Sequence, residues 1–331
     1  MRLPAFRLVK EGETLPSSRY TKTTRTGSQA ATGVIDSRAV FDEFADGATL
    51  VFQSMHRFWG PLADFCRGLE LALGHPVQAN AYITPPGAQG FGAHEDEHDV
   101  FVLQSHGTKR WTVYERHDLP PSRPPIIEAL IEPGDSLYIP SGFPHSASTQ
   151  ERESVHITLG ILATTWATAL KEAVRAIESD PRLDEPLPLR FTFQEDGFTA
   201  EVAERLQELG AAMAGLDAAP IARRLRRKVL TTRQPLLRGQ IHRLLGLDSI
   251  DDGSVVARRP GSICIIEAID GELSVLLGDR ELRMPERLER AMSLIAAGGS
   301  LTVADIPGLN SSGRVVLVRR LIREGLLEVI C

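Results

Sequence analysis

The clearest alternation of apolar and polar residues lies in the first half of the chain. Asp99 to Gln104 reads DVFVLQ, a β-branched and aromatic run of strand length. Ser154 to Leu162 reads SVHITLGIL and alternates cleanly, with Val155, Ile157, Leu159 and Ile161 on one face. His156, Thr158 and Gly160 take the other, a polar and small face suited to the wall of a pocket inside a barrel. Asp46 to Phe52 reads as a turn running into a strand, and Leu137 to Ile139 as a short strand. Between them, His56 to Leu73 carries Phe58, Leu62, Phe65, Leu69 and Leu73 at spacings of three and four, which predicts an amphipathic helix ended by His75-Pro76.

The period changes near Ala163. Trp166, Leu170, Val174 and Ile177 predict one helix, Val202, Leu206, Leu209 and Met213 a second, and Ile221, Leu225 and Val229 a third, with Pro181 to Pro188 as a linker. These stripes need a partner surface, either within the chain or on a second copy. From Gln234 onward the expected order is helix, strands, helix, turn, helix, strand. Ile263–Ile266 and Leu273–Leu277 are joined through Asp270-Gly271, helices lie over 285–297 and 312–324, and a strand closes over 326–330. That order is a winged-helix arrangement. The expected class is α+β, with a barrel over 1–163, a helical region over 164–232 and a winged-helix domain over 233–331.

Composition narrows the function classes. The 331 residues are 42% hydrophobic and 24% charged, with a net charge of −6, which disfavours a general nucleic-acid binder. Arginine-rich runs at Arg223 to Lys228 and at Arg314, Arg319, Arg320 and Arg323 read as solvated faces. No apolar run approaches the roughly 18 residues of a membrane span, and the first residues lack the apolar core of a signal peptide, so a cytoplasmic location is expected. Cys66, Cys264 and Cys331 are few and far apart, which predicts free thiols. Residues 1–40 hold Arg/Lys/Thr-rich stretches such as SSRYTKTTRTGS and read as short strands and a mobile loop.

The chemistry gathers between Pro85 and Trp111. A Pro/Gly turn leads to His94 and Asp96, two residues apart, so that an extended backbone aims both at one point. A turn at His106-Gly107 leads to a return strand bearing Lys109. A second arm, IEPGDSLYIPSGFPH, ends at His145 behind a stiff Pro/Gly loop. Two imidazoles and a carboxylate form the facial triad of non-heme Fe(II) oxygenases. His98 falls on the same strand face as the pair and is expected at the substrate mouth. Thr158 faces the same pocket and can add a hydroxyl for a bound carboxylate.

The segments NAYITPPGAQGF, HEDEHDVFVLQ, GTKRW, GDSLYIPSGFPH and SVHITLG, over Asn80 to Gly160, resemble in order and spacing the JmjC-type, cupin-fold oxygenases of the ribosomal-oxygenase group. The resemblance implies a double-stranded β-helix and an Fe(II)- and 2-oxoglutarate-dependent hydroxylase. It implies His94, Asp96 and His145 as iron ligands and Lys109 as the partner of the distal carboxylate of 2-oxoglutarate. Asn80 and Tyr82 fall at positions that contact the substrate side chain, and the helical region becomes a homodimerisation layer. The implied substrate is an arginine or histidine in a protein, a ribosomal protein among them. Histidine-directed members carry serine where this chain has Gly160, a departure that leaves the target residue open. The alternatives are the same chemistry on a biosynthetic peptide or small molecule, and a non-catalytic metal-binding cupin with a DNA-binding winged helix.

Overall fold

The computed structural model describes residues 5–178, 180–193, 195–269 and 271–330. The chain divides into two compact units, Met1–Ala163 and Thr164–Cys331. The first unit orders its elements as β1 (Phe6–Lys10), β2 (Glu13–Thr14), β3 (Thr21–Thr26), β4 (Gln29–Ile35), α1 (Ser37–Ala45), β5 (Thr49–Phe52), α2 (Gly60–Leu73), β6 (Val77–Thr84), β7 (Asp99–His106), β8 (Lys109–Val113), β9 (Ile127–Ile131), β10 (Ser136–Ile139), β11 (His145–Thr149) and β12 (Ser154–Ile161). Seven strands form one sheet in the order β10-β7-β12-β6-β5-β1-β2, and three form another in the order β11-β8-β9. Inward side chains of both sheets, among them Val100, Val102, Trp111, Val113 and Ile139, pack into one core at one end of the barrel. The outer face of β6 and β12 buries Ala79 and Leu159 under Leu62 and Cys66 of α2.

Two sequence expectations give way here. The helix expected from His56 begins instead at Gly60, with Pro61 in its first turn, where the missing N–H costs nothing. Met55 to Arg57 forms a separate 3₁₀ turn. The inward stripe is Leu62, Cys66 and Leu69, whereas Phe58, Phe65 and Leu73 are exposed. Nor do β7 and β8 form a hairpin: β7 pairs with β10 and β12, while β8 pairs with β11 and β9. The turn at His106-Gly107 therefore carries the chain from one sheet to the other, which is how Lys109 comes to face the large sheet across the cavity.

That crossover depends on Gly107. Its φ is +61°, and an added Cβ would lie 1.9 Å from the Glu153 carbonyl oxygen. The Gln104 carboxamide ties the turn by donating to the carbonyls of His106 and Gly107 and to the Ser154 hydroxyl. Gly107→Ala should lower stability by about 2 kcal/mol or more, since both the left-handed backbone and the close carbonyl oppose it. Chemical denaturation of the variant beside the parent checks this.

The second unit holds α3 (Trp166–Ile177), α4 (Glu195–Ala214) and α5 (Ala218–Leu230), followed by α6 (Gln240–Leu245), β13 (Val255–Arg258), β14 (Cys264–Ile269), β15 (Glu272–Leu277), β16 (Glu281–Pro285), α7 (Glu289–Ala297), β17 (Ser300–Thr302), α8 (Ser311–Arg323) and β18 (Leu327–Val329). Strands β17-β13-β18 form one sheet and β14-β15-β16 another. Val256, Val275, Met292, Ile295, Val318 and Leu321 sit in its core. On α3 only Ile177 of the apolar stripe is buried, while Trp166 is 87% exposed. Asp270, half of the expected turn, and Cys331 lie outside the described residues; Cys66 and Cys264 are free thiols. Among the described residues, no helix is long and apolar enough to cross a membrane.

Candidate metal centre

His94 and His145 are brought together by the main chain. His94 N–H donates to the His145 carbonyl at 3.1 Å, and His145 N–H returns the bond to His94 at 2.8 Å. The segment before His94 runs antiparallel to β11, with further bonds from Gly87 N–H to Gln150 and from Thr149 N–H to Ala88. His94 and Asp96 therefore lie on a broken edge segment joined to β11 by two isolated bridges, Gln89 with Ser148 and His94 with His145, and not on a regular strand as their spacing predicts. The Gly/Pro content from Pro85 to Gly92 interrupts the ladder. Asp96 is held by its own carbonyl, which accepts from Gly142 N–H at 2.9 Å, inside the loop that positions His145.

The result is a compact triad. One ligand-capable atom each from His94, Asp96 and His145 lies within 4.8 Å of the others. The two imidazole rings stand 4.5 Å apart, and His145 Nε2 lies 3.7 Å from an Asp96 carboxylate oxygen. Each imidazole donates from Nδ1 to a backbone carbonyl, His94 to Gly92 at 2.9 Å and His145 to Phe143 at 3.0 Å. A carbonyl only accepts, so Nδ1 carries the proton and both Nε2 lone pairs are free. Burial pushes the His145 pKa down, with the His94 ring adding to the effect, which keeps the imidazole neutral as a ligand must be. The donor set, fixed tautomers and shared focus fit a divalent cation with one open face.

The triad opens onto a cavity of about 290 Å³. Strand register builds the opposite wall in rows. Val51 pairs with Tyr82, Tyr82 with His156, and Asn80 with Thr158. Tyr82 and His156 stack at 4.6 Å with an interplanar angle of 3°, and Trp111 meets His156 edge-on. Tyr82 shares a side-chain hydrogen bond with Thr158, and burial raises its phenol pKa. At the far end Lys109, 3% exposed, donates from Nζ to Thr84 Oγ1 at 2.9 Å, and Thr84 bonds in turn to Thr49. Desolvation pulls the Lys109 pKa down to about 7. Trp111 Nε1 and His156 Nδ1 are buried on cavity-lining residues with no hydrogen-bond partner. A lysine, two hydroxyls and two orphaned nitrogens make a cradle suited to a small acid.

The structure thus brings His94, Asp96, His145, Lys109, Thr158, Asn80, Tyr82 and His98 to one cavity. Gly160 sits behind His98, and a Cβ there would lie 2.5 Å from the His98 imidazole. Thr158 is engaged with Tyr82, while the hydroxyls beside Lys109 are Thr84 and Thr49. Sequence reasoning missed those two, because a lone threonine carries no motif and β5 joins the wall only through long-range pairing. It also missed Arg7 of β1 for the same reason. His56 is structural: its Nδ1 accepts from Ala79 N–H, and burial lowers its pKa. His106 and His117 are exposed beside Glu153 and Glu95.

Residues 63–169 match the JmjC domain family. Over 177 residues the chain is 32% identical to the bifunctional lysine-specific demethylase and histidyl-hydroxylase NO66 of Drosophila simulans, covering 47% of this chain and 21% of that protein. Ribosomal oxygenase 1 of Gallus gallus is 32% identical over 171 residues, covering 45% of this chain and 28% of the relative. The chain therefore spans about a quarter of the length of the curated relatives it matches. The crystal structure of Escherichia coli ribosomal oxygenase YcfD aligns with 98% of this chain and 86% of its own, at 21% identity and a TM-score of 0.53. YcfD in complex with cobalt and 2-oxoglutarate aligns over the same shares at 19% identity and a TM-score of 0.53. The chain shares the fold of that oxygenase, and residues 63–169, the stretch that matches the JmjC domain family, supply all three triad side chains.

Proposed function

We propose that the chain is an Fe(II)- and 2-oxoglutarate-dependent oxygenase that hydroxylates an amino-acid side chain in a protein. Arginine or histidine of a ribosomal protein is the substrate to which the likenesses point. One observation carries the reading: a two-histidine, one-carboxylate triad with both Nδ1 atoms tied to carbonyls, facing a cavity with a buried lysine at its far end. Bound iron and 2-oxoglutarate would supply the oxidising chemistry: 2-oxoglutarate loses CO₂ to become succinate, which takes one atom of O₂, and the other atom enters the C–H bond of the hydroxylated product.

The chain's own residues do the rest. His94 Nε2, Asp96 and His145 Nε2 hold the metal on one face. Lys109, Thr84 and Thr49 anchor the distal carboxylate, a charge-assisted contact at a buried lysine. Thr158 contributes through Tyr82, which it steadies. Trp111 and the Tyr82–His156 stack close the cavity sides, and Asn80, Tyr82 and His98 face the incoming side chain. The test is succinate formation from 2-oxoglutarate by purified chain with Fe(II), followed by intact-mass comparison of ribosomal proteins with and without the gene. No cosubstrate binding and no succinate, with or without candidate peptides, sinks the reading.

The divisions 1–163, 164–232 and 233–331 are proposed as barrel, dimerisation layer and winged helix. Exposed Trp166, Leu170 and Val174 on α3 support a homodimer. Three of the four arginines of α8 are engaged within their own unit: Arg314 pairs with Asp252, Arg320 with Glu324, and Arg319 donates to the carbonyls of Asp248 and Ile250. This supports a packing module over a DNA reader. Gly160→Ser should displace the His98 ring and reduce peptide-dependent turnover at least about tenfold, since a shift near 1 Å can cost that much or more. Metal titration of the same variant should match the parent.

A further inference from the structure

Two cations line the cavity, Lys109 and Arg7, against one carboxylate, Asp96. In the oxygenase reading Asp96 belongs to the metal and Lys109 to the cosubstrate. Arg7 is left over. It projects from β1 opposite Val51, on the inward face shared with Val9. Its guanidinium carbon lies 4.9 Å from the centre of the Phe91 ring, and that ring lies 5.3 Å from His94. Its Nε is buried without a hydrogen-bond partner. Neighbouring cations of the same layer are matched, Lys10 with Asp46, Arg19 with Glu43 and Lys22 with Asp36.

A partly desolvated guanidinium is costly when unmatched, and a cation–π contact returns only about 0.5–2 kcal/mol. The planar fork that Phe91 holds is the donor array that fits a carboxylate in two parallel bonds. We infer that Arg7 is the substrate-recognition cation of this pocket and takes the carboxylate of an acidic residue lying within two positions of the oxidised one in a peptide. Arg7 stands one ring away from His94, and two residues of extended peptide span roughly 7 Å, so an acid at that spacing reaches the fork while its neighbour faces the triad. The same charge opposes a cationic target. Arginine is thereby disfavoured, and a neutral side chain such as histidine, flanked by aspartate or glutamate, is favoured. This specificity rests on the oxygenase reading above.

The test uses the full chain and three pools of short, dye-labelled random peptides that fix glutamate, glutamine or lysine at one position. Binding is read by fluorescence anisotropy, with Mn(II) and 2-oxoglutarate present and again without them. The expected order is glutamate over glutamine over lysine, with glutamate binding at least about tenfold tighter than its amide. Arg7→Met should erase that preference and Arg7→Lys should keep part of it. Near-ultraviolet dichroism of both variants confirms that the wall is intact. If Arg7→Met does not fold, Arg7→Lys and the salt dependence of the glutamate pool decide: loss of preference at high salt supports the inference, and salt-independent binding overturns it. Equal binding of the glutamate and glutamine pools, or preference for lysine, overturns it too, as does a preference that survives Arg7→Met. Cosubstrate binding by the parent chain is measured separately; its failure removes the oxygenase reading and leaves the peptide preference standing.

Discussion

Asp96→Ala is expected to abolish metal binding at micromolar concentrations and to bring succinate formation to background. Asp96 is the only anion among the three ligand-bearing side chains, and the sole carboxylate lining the cavity among the described residues. Without it two neutral imidazoles remain, held 4.5 Å apart, and they bind a divalent cation far more weakly. Losing a group that merely orients a ligand costs tenfold to a hundredfold in metal affinity, as a rough guide, so losing a charged ligand should exceed that. The fold should survive, because the Asp96 backbone carbonyl and not its side chain closes the loop to Gly142. Isothermal titration with Mn(II), paired with a thermal melt, separates the two effects. Turnover near the parent's level would refute the ligand assignment.

Lys109→Met is expected to weaken 2-oxoglutarate binding by roughly tenfold to a hundredfold, the value of one charge-assisted hydrogen bond in a buried site. It should also stabilise the empty protein, and the pH dependence of that gain identifies its cause. The folded-state pKa of Lys109 is depressed to about 7, against 10.5 for an exposed lysine. Below pH 7 both folded and unfolded chains carry the charge, and the folded state bears the full burial penalty. As pH rises from 7 to 10.5 the folded chain sheds its proton first, so the penalty shrinks. The variant's advantage in melting temperature should therefore be largest near neutrality and below, and fade toward pH 10.5. Binding a dianion restores the charge on Lys109. Above pH 7 each binding event should take up a proton, and the affinity of the parent chain should fall as pH rises. Calorimetry in buffers of differing ionisation heat counts that proton.

Local pattern carried much of this protein and failed where pairing is long-range. The two-residue rhythm of Val155 to Ile161 placed His156 and Thr158 on the cavity wall, because a strand's faces follow from its own sequence. The ligand residues were legible from their types and from the flanking Pro/Gly runs, yet their backbone was not. His94 owes its position to two hydrogen bonds with His145, 51 positions along the chain, a partner that local periodicity cannot see. Thr49, Thr84 and Arg7 were invisible as site residues for the same reason: β5 joins β6 edge to edge, and β1 joins β5, by pairings distant in sequence. The helix α2 shows the converse error. Spacing alone predicts Phe65 and Leu73 on the same stripe as Leu62 and Leu69, but Phe65 and Leu73 face outward while the smaller Cys66 is buried.

The reciprocal bond between His94 and His145 uncouples two lengths that would otherwise trade against each other. How far apart the two imidazoles stand is set by a clamp of main-chain atoms, whereas the chain joining them wanders through β7 to β10 and the proline-rich stretch from Pro120 to Pro125. That stretch can be lengthened, shortened or replaced by a foreign loop without re-tuning the distance across the metal focus. It is the natural place to graft a new recognition loop onto this barrel while leaving the centre as it is.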